Sequence, residues 1–338
     1  MVVYLHAYNA AQGTTIHNSS LSVNYNSFIQ IFISQGLTRI AVPLFFAISG
    51  YLFFLNVKTG SFVEIIPKIK KRFKTLLLPY LIWSALSILL FTLIQTVPQL
   101  RFFFNDSLIV EKSLIKILNN FFFHPIPYQL WFIRDLLLLV CISPFLHWLL
   151  KNHYTFIIFL LLVLWFMNFN YHMISNESIL FYSFGGFLAI KKLNVSTKFP
   201  IKGILFLTFG WILILIFKTV LTIDNTISEL ILIALHKISI LVGVVSFWFL
   251  YDVIMNGRNI AENNLTSIFT FSFFLYLIHE PLLTILEKIS LAFFGKSQDI
   301  LFFTYLLIPI IVVFLALFIG NLLKSKTPLF YNLITGAR

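Results

Sequence analysis

The chain reads as an all-α, polytopic integral membrane protein, and three observations lead there. Of its 338 residues 59% are hydrophobic and 11% charged, with 41 phenylalanines; a water-soluble domain carries about a quarter charged residues and fewer apolar ones. The apolar residues fall in runs, most of them near the ~20 residues that a helix needs to cross the hydrocarbon. The positive charge behind the net +12 lies mainly in the short segments between those runs, where it sets orientation and argues against nucleic acid as a partner. The single cysteine, Cys141, sits inside an apolar run, which leaves no intrachain disulfide, redox pair or cysteine-rich zinc site to consider.

Taken in order, the runs give about ten transmembrane helices. Met1 to Ala10 is too short to cross and reads as the second half of a first helix, so that this helix is truncated; no basic residue precedes its apolar start, and no cleavable leader is expected. Residues 12–26 are polar, and the chain is then apolar from Phe28 to Leu55, with Ser49, Gly50 and Tyr51 as an expected small-residue break. Lys58 to Lys74 is expected to be a loop. Further spans are expected at Thr75 to Val97, Tyr128 to Leu150, Tyr154 to Asn168, Ser178 to Ile190, Gly203 to Leu221, His236 to Met255, Ser267 to Leu291 and Ile300 to Leu323. The Ser178 to Ile190 span is short and holds Gly185 and Gly186, which blurs its ends. Between Pro98 and Pro127 an amphipathic piece, Ser107 to Phe123, is expected to lie along the membrane surface. No soluble domain, linker or repeat interrupts this order, so residues 1–338 are expected to form one transmembrane domain.

Cytoplasmic loops retain the excess of Lys and Arg. One alternate set of loops holds Lys58, Lys68, Lys70, Lys71, Arg72, Lys74, Lys151, Lys191, Lys192, Lys198, Lys202, Arg258, Lys324, Lys326 and Arg338; the other holds Arg101, Lys112, Lys116, Lys237 and Lys296. The first set is expected to face the cytoplasm. Both termini then lie inside, which requires an even number of crossings.

An ionisable side chain in hydrocarbon is costly unless it is paired or faces water, so each one marks a candidate site. His6 has a side chain suited to general-base work near neutral pH, or it is a packing histidine bonded to a neighbour. Arg39 could pair with a carboxylate or hold a sugar or acyl oxygen in its fork of donors. Lys68, Lys71 and Arg72, with Lys70 and Lys74, are dense enough to bind phosphates, although topology setting and contact with anionic lipid use such residues too. Arg134 and Asp135 point about 100° apart on a helix, so each is expected to pair with another helix, Arg134 with Glu280 and Asp135 with Arg39. His279 and Glu280 precede Pro281, which frees a carbonyl, and a histidine beside a carboxylate suits a proton relay. The pair lacks the second histidine of H-E-x-x-H, which removes a zinc protease, and no metal is expected. Lys218 and Asp252 are given no role, and the remaining histidines are adequately explained by solvated or interfacial positions.

These residues stand in a recurring context: VVYLHA from Val2, RIAVPLFFAISGYLF from Arg39, KKRFKTLLLPYLIW from Lys70, YQLWFIRDL from Tyr128, LIHEP from Leu277 and NLITGAR from Asn332. In content and order the pattern resembles the acyltransferase 3 family, multi-pass bacterial membrane enzymes that move acyl groups onto cell-surface sugars. The resemblance covers nearly the whole chain. It implies transfer of an acyl group, most often acetyl, from acyl-CoA to a hydroxyl of a cell-surface or lipid-linked carbohydrate, in the bacterial plasma membrane, with acetyl-CoA as co-substrate and no bound cofactor. His6 matches the family's first-helix histidine. The family's arginine about ten residues earlier has no counterpart, because five residues precede His6; its role falls to a residue upstream of Met1 or to another cation. Arg72 occupies the arginine of the family's basic pattern. On this resemblance His6, Arg39, Arg134, His279 and Glu280 are expected in the catalytic cavity, and Lys68, Lys71 and Arg72 at the acyl-CoA phosphates. A transporter of a polysaccharide intermediate is the alternative, since intramembrane ion pairs also serve translocation. A purely structural subunit leaves the clustered charges unexplained.

Overall fold

The computed structural model describes residues 1–9, 24–98, 108–169, 173–193, 200–224, 227–255 and 269–337. His17, Arg101, His172, Lys198, Arg258 and Arg338 lie outside the described residues. Among the described residues all regular structure is helical: α1 Val2–His6, α2 Tyr25–Ser34, α3 Ala41–Phe54, α4 Phe62–Arg72, α5 Leu78–Thr96, α6 Leu114–Phe122, α7 Trp131–Phe166, α8 Asn176–Ile190, α9 Ile201–Asp224, α10 Glu229–Met255, α11 Ser272–Phe294, α12 Gln298–Lys326 and α13 Pro328–Thr335. Six helical stretches within these are long and apolar enough to cross a membrane, and the protein is a multi-pass membrane protein.

The run from Phe28 to Leu55 is broken, but not at Ser49 to Tyr51. Helix α3 passes through those residues without interruption. The discontinuity lies earlier, where α2 ends at Ser34 and a 3₁₀ turn, Leu37–Ile40, leads into α3. Gly50 serves close approach. A Cβ there would run into the backbone of Tyr182 on α8, and one at Gly185 would run into the backbone of Ala47 on α3. Small residues that let two membrane helices touch backbone to backbone are a general device of lipid-embedded bundles. Gly185 and Gly186 do not interrupt α8, which is continuous from Asn176 to Ile190.

Helix α4 replaces the loop expected between Lys58 and Lys74. Phe62, Val63 and Ile66 are exposed, Val63 by 84%, while Ile65 on the opposite side is fully buried; a helix with an uncovered apolar face beside a run of Lys and Arg suits the plane of the membrane interface. It passes through a π turn, Phe73–Leu77, into α5. Charge density had masked the helical spacing of its apolar residues. Of the piece expected from Ser107 to Phe123, Leu114–Phe122 forms helix α6, capped by Ser113 and exposing Leu114 and Ile115, while Ser107 lies outside the described residues.

Helix α7 is divided by non-helical backbone at His153, between the two spans expected there. The chain reverses at this point. Ser175 N–H donates to Asp135 at 2.9 Å, and Asn176 donates to the carbonyl of Leu164 at 3.4 Å, so the two arms of α7 end beside each other at the start of α8. At the other side of the bundle, α13 closes against α5: the Trp83 indole donates to the carbonyl of Ile334 at 3.1 Å. Gly336 takes a left-handed conformation, φ 68°, against the backbone of Thr75.

Candidate functional site

Helix α1 is held by polar contacts with α2 and α12. Asn9 and Gln30 exchange two hydrogen bonds, at 3.0 and 2.7 Å, and Gln30 also donates to Asn26 at 2.7 Å. Ser34 donates to the carbonyl of Tyr4 at 2.6 Å, and the Tyr4 phenol donates to the carbonyl of Leu306 at 2.9 Å. Hydrogen bonds buried in an apolar surround are expensive to leave unmade, so these contacts fix where His6 points. Its Nδ1 lies 2.5 Å from the Tyr128 hydroxyl, and its ring centroid lies 5.4 Å from that of His279.

His6 lines a cavity of about 280 Å³ whose wall also includes Gln35, Arg39, Gln129, Trp131 and Tyr276. Arg39 and Gln35 come from the break between α2 and α3; irregular backbone at membrane depth is tolerated where it lines such a space. Arg39 makes a two-pronged pair with Glu177, at 3.0 and 3.1 Å. The partner is not Asp135, as expected from sequence, because Asp135 is turned to the start of α8. It accepts from Ser175 N–H at 2.9 Å and from the Ser178 hydroxyl at 2.8 Å, close to the positive end of the helix. On the same cavity wall the Tyr276 phenol donates to the Gln129 carbonyl at 2.5 Å, and among the described residues the buried Gln129 Oε1 has no hydrogen-bond partner.

His279 sits behind His6, fully buried, with Nδ1 2.7 Å from the carbonyl of Tyr276 and, among the described residues, Nε2 without a hydrogen-bond partner. Glu280 turns along its own helix, where Oε1 accepts from Thr284 at 3.0 Å. It does not meet Arg134. The Arg134 guanidinium folds back on its neighbour Asp135 at 2.9 and 3.2 Å, its long stem overcoming the angular offset, and donates to the carbonyl of Phe123 at 2.6 Å, tying α7 to the end of α6. Neither Arg134 nor Glu280 lines the cavity.

The expected phosphate-binding residues lie at the far end of α3. Its 14 residues span about 20 Å at ~1.5 Å each. The Lys68 ammonium donates to the carbonyls of Phe53 at 2.8 Å and Leu55 at 2.5 Å, capping the C-terminal end of α3. Lys71 is exposed and Arg72 half-buried at the end of α4. Sequence reasoning missed Gln35, Tyr128, Gln129, Glu177 and Tyr276. The polar pair Gln35–Gly36 inside an apolar run was the available signal. Among the described residues no group of three His, Cys, Asp or Glu side chains gathers as a metal site requires.

A family described as an acyltransferase domain matches residues 1–323. The succinoglycan biosynthesis protein ExoH of Rhizobium meliloti (strain 1021) is 24% identical over 313 residues, which cover 92% of this chain and 82% of that protein. No solved structure matches the chain. With nearly its whole length matched, from α1 through most of α12, the chain belongs to the acyltransferase 3 family and is an acyltransferase.

Proposed function

We propose that the protein moves an acyl group, acetyl in the first instance, from acyl-CoA to a hydroxyl of a cell-surface or lipid-linked carbohydrate in the bacterial plasma membrane. The observation that carries this reading is the placement of His6 and Arg39 on one cavity at the start of α3, with the basic α4 meeting the other end of α3 through Lys68. Acyl-CoA enters from the cytoplasmic side. Arg72 and Lys71 meet its phosphates, Lys68 holds the end of α3 beside them, and the pantetheine arm, comparable in length to α3, carries the thioester to His6.

The roles then follow from chemistry. The tautomer of His6 that donates from Nδ1 to the Tyr128 oxygen leaves Nε2 free to accept the proton of a sugar hydroxyl. The hydroxyl oxygen attacks the thioester carbon. Negative charge grows on the former carbonyl oxygen, where Arg39 donates into the cavity, while Glu177 holds the guanidinium in place; fixed donors aimed at developing charge are worth about 3–4 kcal/mol in comparable sites. Collapse breaks the carbon–sulfur bond, and the CoA thiolate takes the proton back from His6. His279 packs behind His6 and restricts its ring, Arg134 ties α7 to the end of α6, and Glu280 holds Thr284 on its own helix.

Release of CoA from acetyl-CoA by the detergent-purified protein is the direct test. His6→Ala should lower it at least ~100-fold, the usual contribution of a general base, with an unchanged melting temperature. An unimpaired variant would remove His6 from the scheme. A wild-type protein that turns over no acyl-CoA, beside active family members, would favour the transporter.

A further inference from the structure

Gln35 borders two cavities. On the side away from His6 lies the larger one, about 450 Å³, within the ~300–1,000 Å³ range of ligand sites. It is bounded by the end of α9, the start of α10, the residues after α7 and Tyr8. Two ammonium groups are buried in its wall, Lys218 at 3% exposure and Lys237 at 5%. Lys218 donates to the carbonyl of Gln35 at 2.5 Å and approaches His236 Nδ1 at 3.2 Å. Lys237 donates to the carbonyl of Trp165, to that of Phe166 at 3.4 Å and to the Asn168 side chain at 3.2 Å.

Both ammonium groups therefore rest on carbonyls where α2 and α7 end. Dipoles of that kind hold a cation but do not cancel its charge. The ion pairs among the described residues are Arg39 with Glu177 and Arg134 with Asp135, so neither lysine lies within ion-pair distance of a carboxylate there. Glu229 is the carboxylate on the wall, and it is exposed. Glu177 lies near enough to Lys237 for its charge to be felt, but both of its oxygens are taken by Arg39; two desolvated cations without an ion-pair partner, in a space large enough for a ligand, call for an anion from outside. Around them Asn168, Thr222 and the Tyr8 ring supply hydrogen-bonding groups and an aromatic face suited to a polyhydroxylated ligand.

We propose that this cavity holds the acceptor, a carbohydrate bearing an anionic substituent, with the carboxylate or phosphate of one sugar unit between Lys218 and Lys237. A neighbouring unit then extends past Gln35 and Arg39 to His6. The assignment rests on the acyl-transfer reading and adds the charge of the acceptor to it.

Ligand-observed NMR on the purified full chain, with methyl β-glucuronide, glucose 1-phosphate and methyl β-glucoside as probes, tests it. The acidic sugars should bind at least tenfold more tightly than the glucoside. Lys218→Met should abolish that preference. Glu229→Gln, at an exposed position where folding is not at stake, should tighten the acidic sugars about threefold or more through removal of an opposing charge, leaving the glucoside unchanged. Equal binding of charged and neutral sugars, or a preference that neither variant alters, would overturn the proposal. So would thermal stabilisation by phosphatidylglycerol vesicles that depends on Lys218 while acidic sugars bind no better than neutral ones, an outcome that would give the cavity to a lipid phosphate. CoA release measured in parallel separates the two readings: release without acidic-sugar binding overturns the acceptor site alone, whereas acidic-sugar binding without release overturns acyl transfer and leaves the site.

Discussion

Arg39 and Glu177 stand 138 positions apart in the chain and meet through two parallel hydrogen bonds. Such a fork needs a planar donor, so Arg39→Lys should keep the charge and lose the geometry. We expect that variant to unfold with about 1–3 kcal/mol less stability, a range set below that for fully buried pairs because Arg39 is part-exposed, and to release CoA more slowly. A scanning-calorimetry profile identical to wild type would show that the pair is not structural. The cost of charge in hydrocarbon marked His6 and Arg39 from sequence. Their partners Tyr128 and Glu177 were not legible, because no local pattern links positions more than a hundred residues apart. Arg134 was marked on the same ground, yet its adjacent carboxylate and the carbonyl at the end of α6 engage it first.

Helices were easier to read than their breaks. Runs of apolar residues located α5, α7, α9, α10 and α12, since length and hydropathy are what the bilayer selects. The reversal at His153 fell where Lys151 and Asn152 interrupt the run. Two features went the other way. Lys58 to Lys74 looked like a loop because charge outweighed the spacing of Ile65, Ile66 and Ile69, and Gly50 looked like a break because glycine weakens isolated helices. In the bundle, contact between α3 and α8 decides: Gly185→Leu should push them apart and cost more than 1–3 kcal/mol, the usual range for overpacking. Gly210, in α9, has nothing within 4 Å of an added Cβ, so Gly210→Ala should change the stability by no more than about 1 kcal/mol. Equal effects of the two substitutions would refute the backbone-contact role of Gly185.

For the molecule as a whole, the arrangement of charge predicts sidedness. In a Cys141→Ser background, Lys70→Cys should react with a membrane-impermeant maleimide only after the cytoplasmic face is opened, and Lys296→Cys in intact spheroplasts; the reverse pattern would invert the proposed route of acyl-CoA. The polar ties of α1 carry a last consequence, for the order in which the protein is made. The Tyr4 phenol finds its acceptor 302 residues later, at Leu306, and the Asn9 amide 292 residues later, at Leu301. While the ribosome is still translating the middle of the chain, the helix that bears His6 is already in the bilayer with those donors unmatched. Contacts with Gln30 and Ser34 of α2 are within reach early, but the ties to Leu306 and Leu301 can form only when α12 has been inserted. The last wall of the cavity, Tyr276 of α11, and the last ties of α1, on α12, thus both come from the final third of the chain, and a nascent chain stalled before α11 carries His6 without the cavity around it.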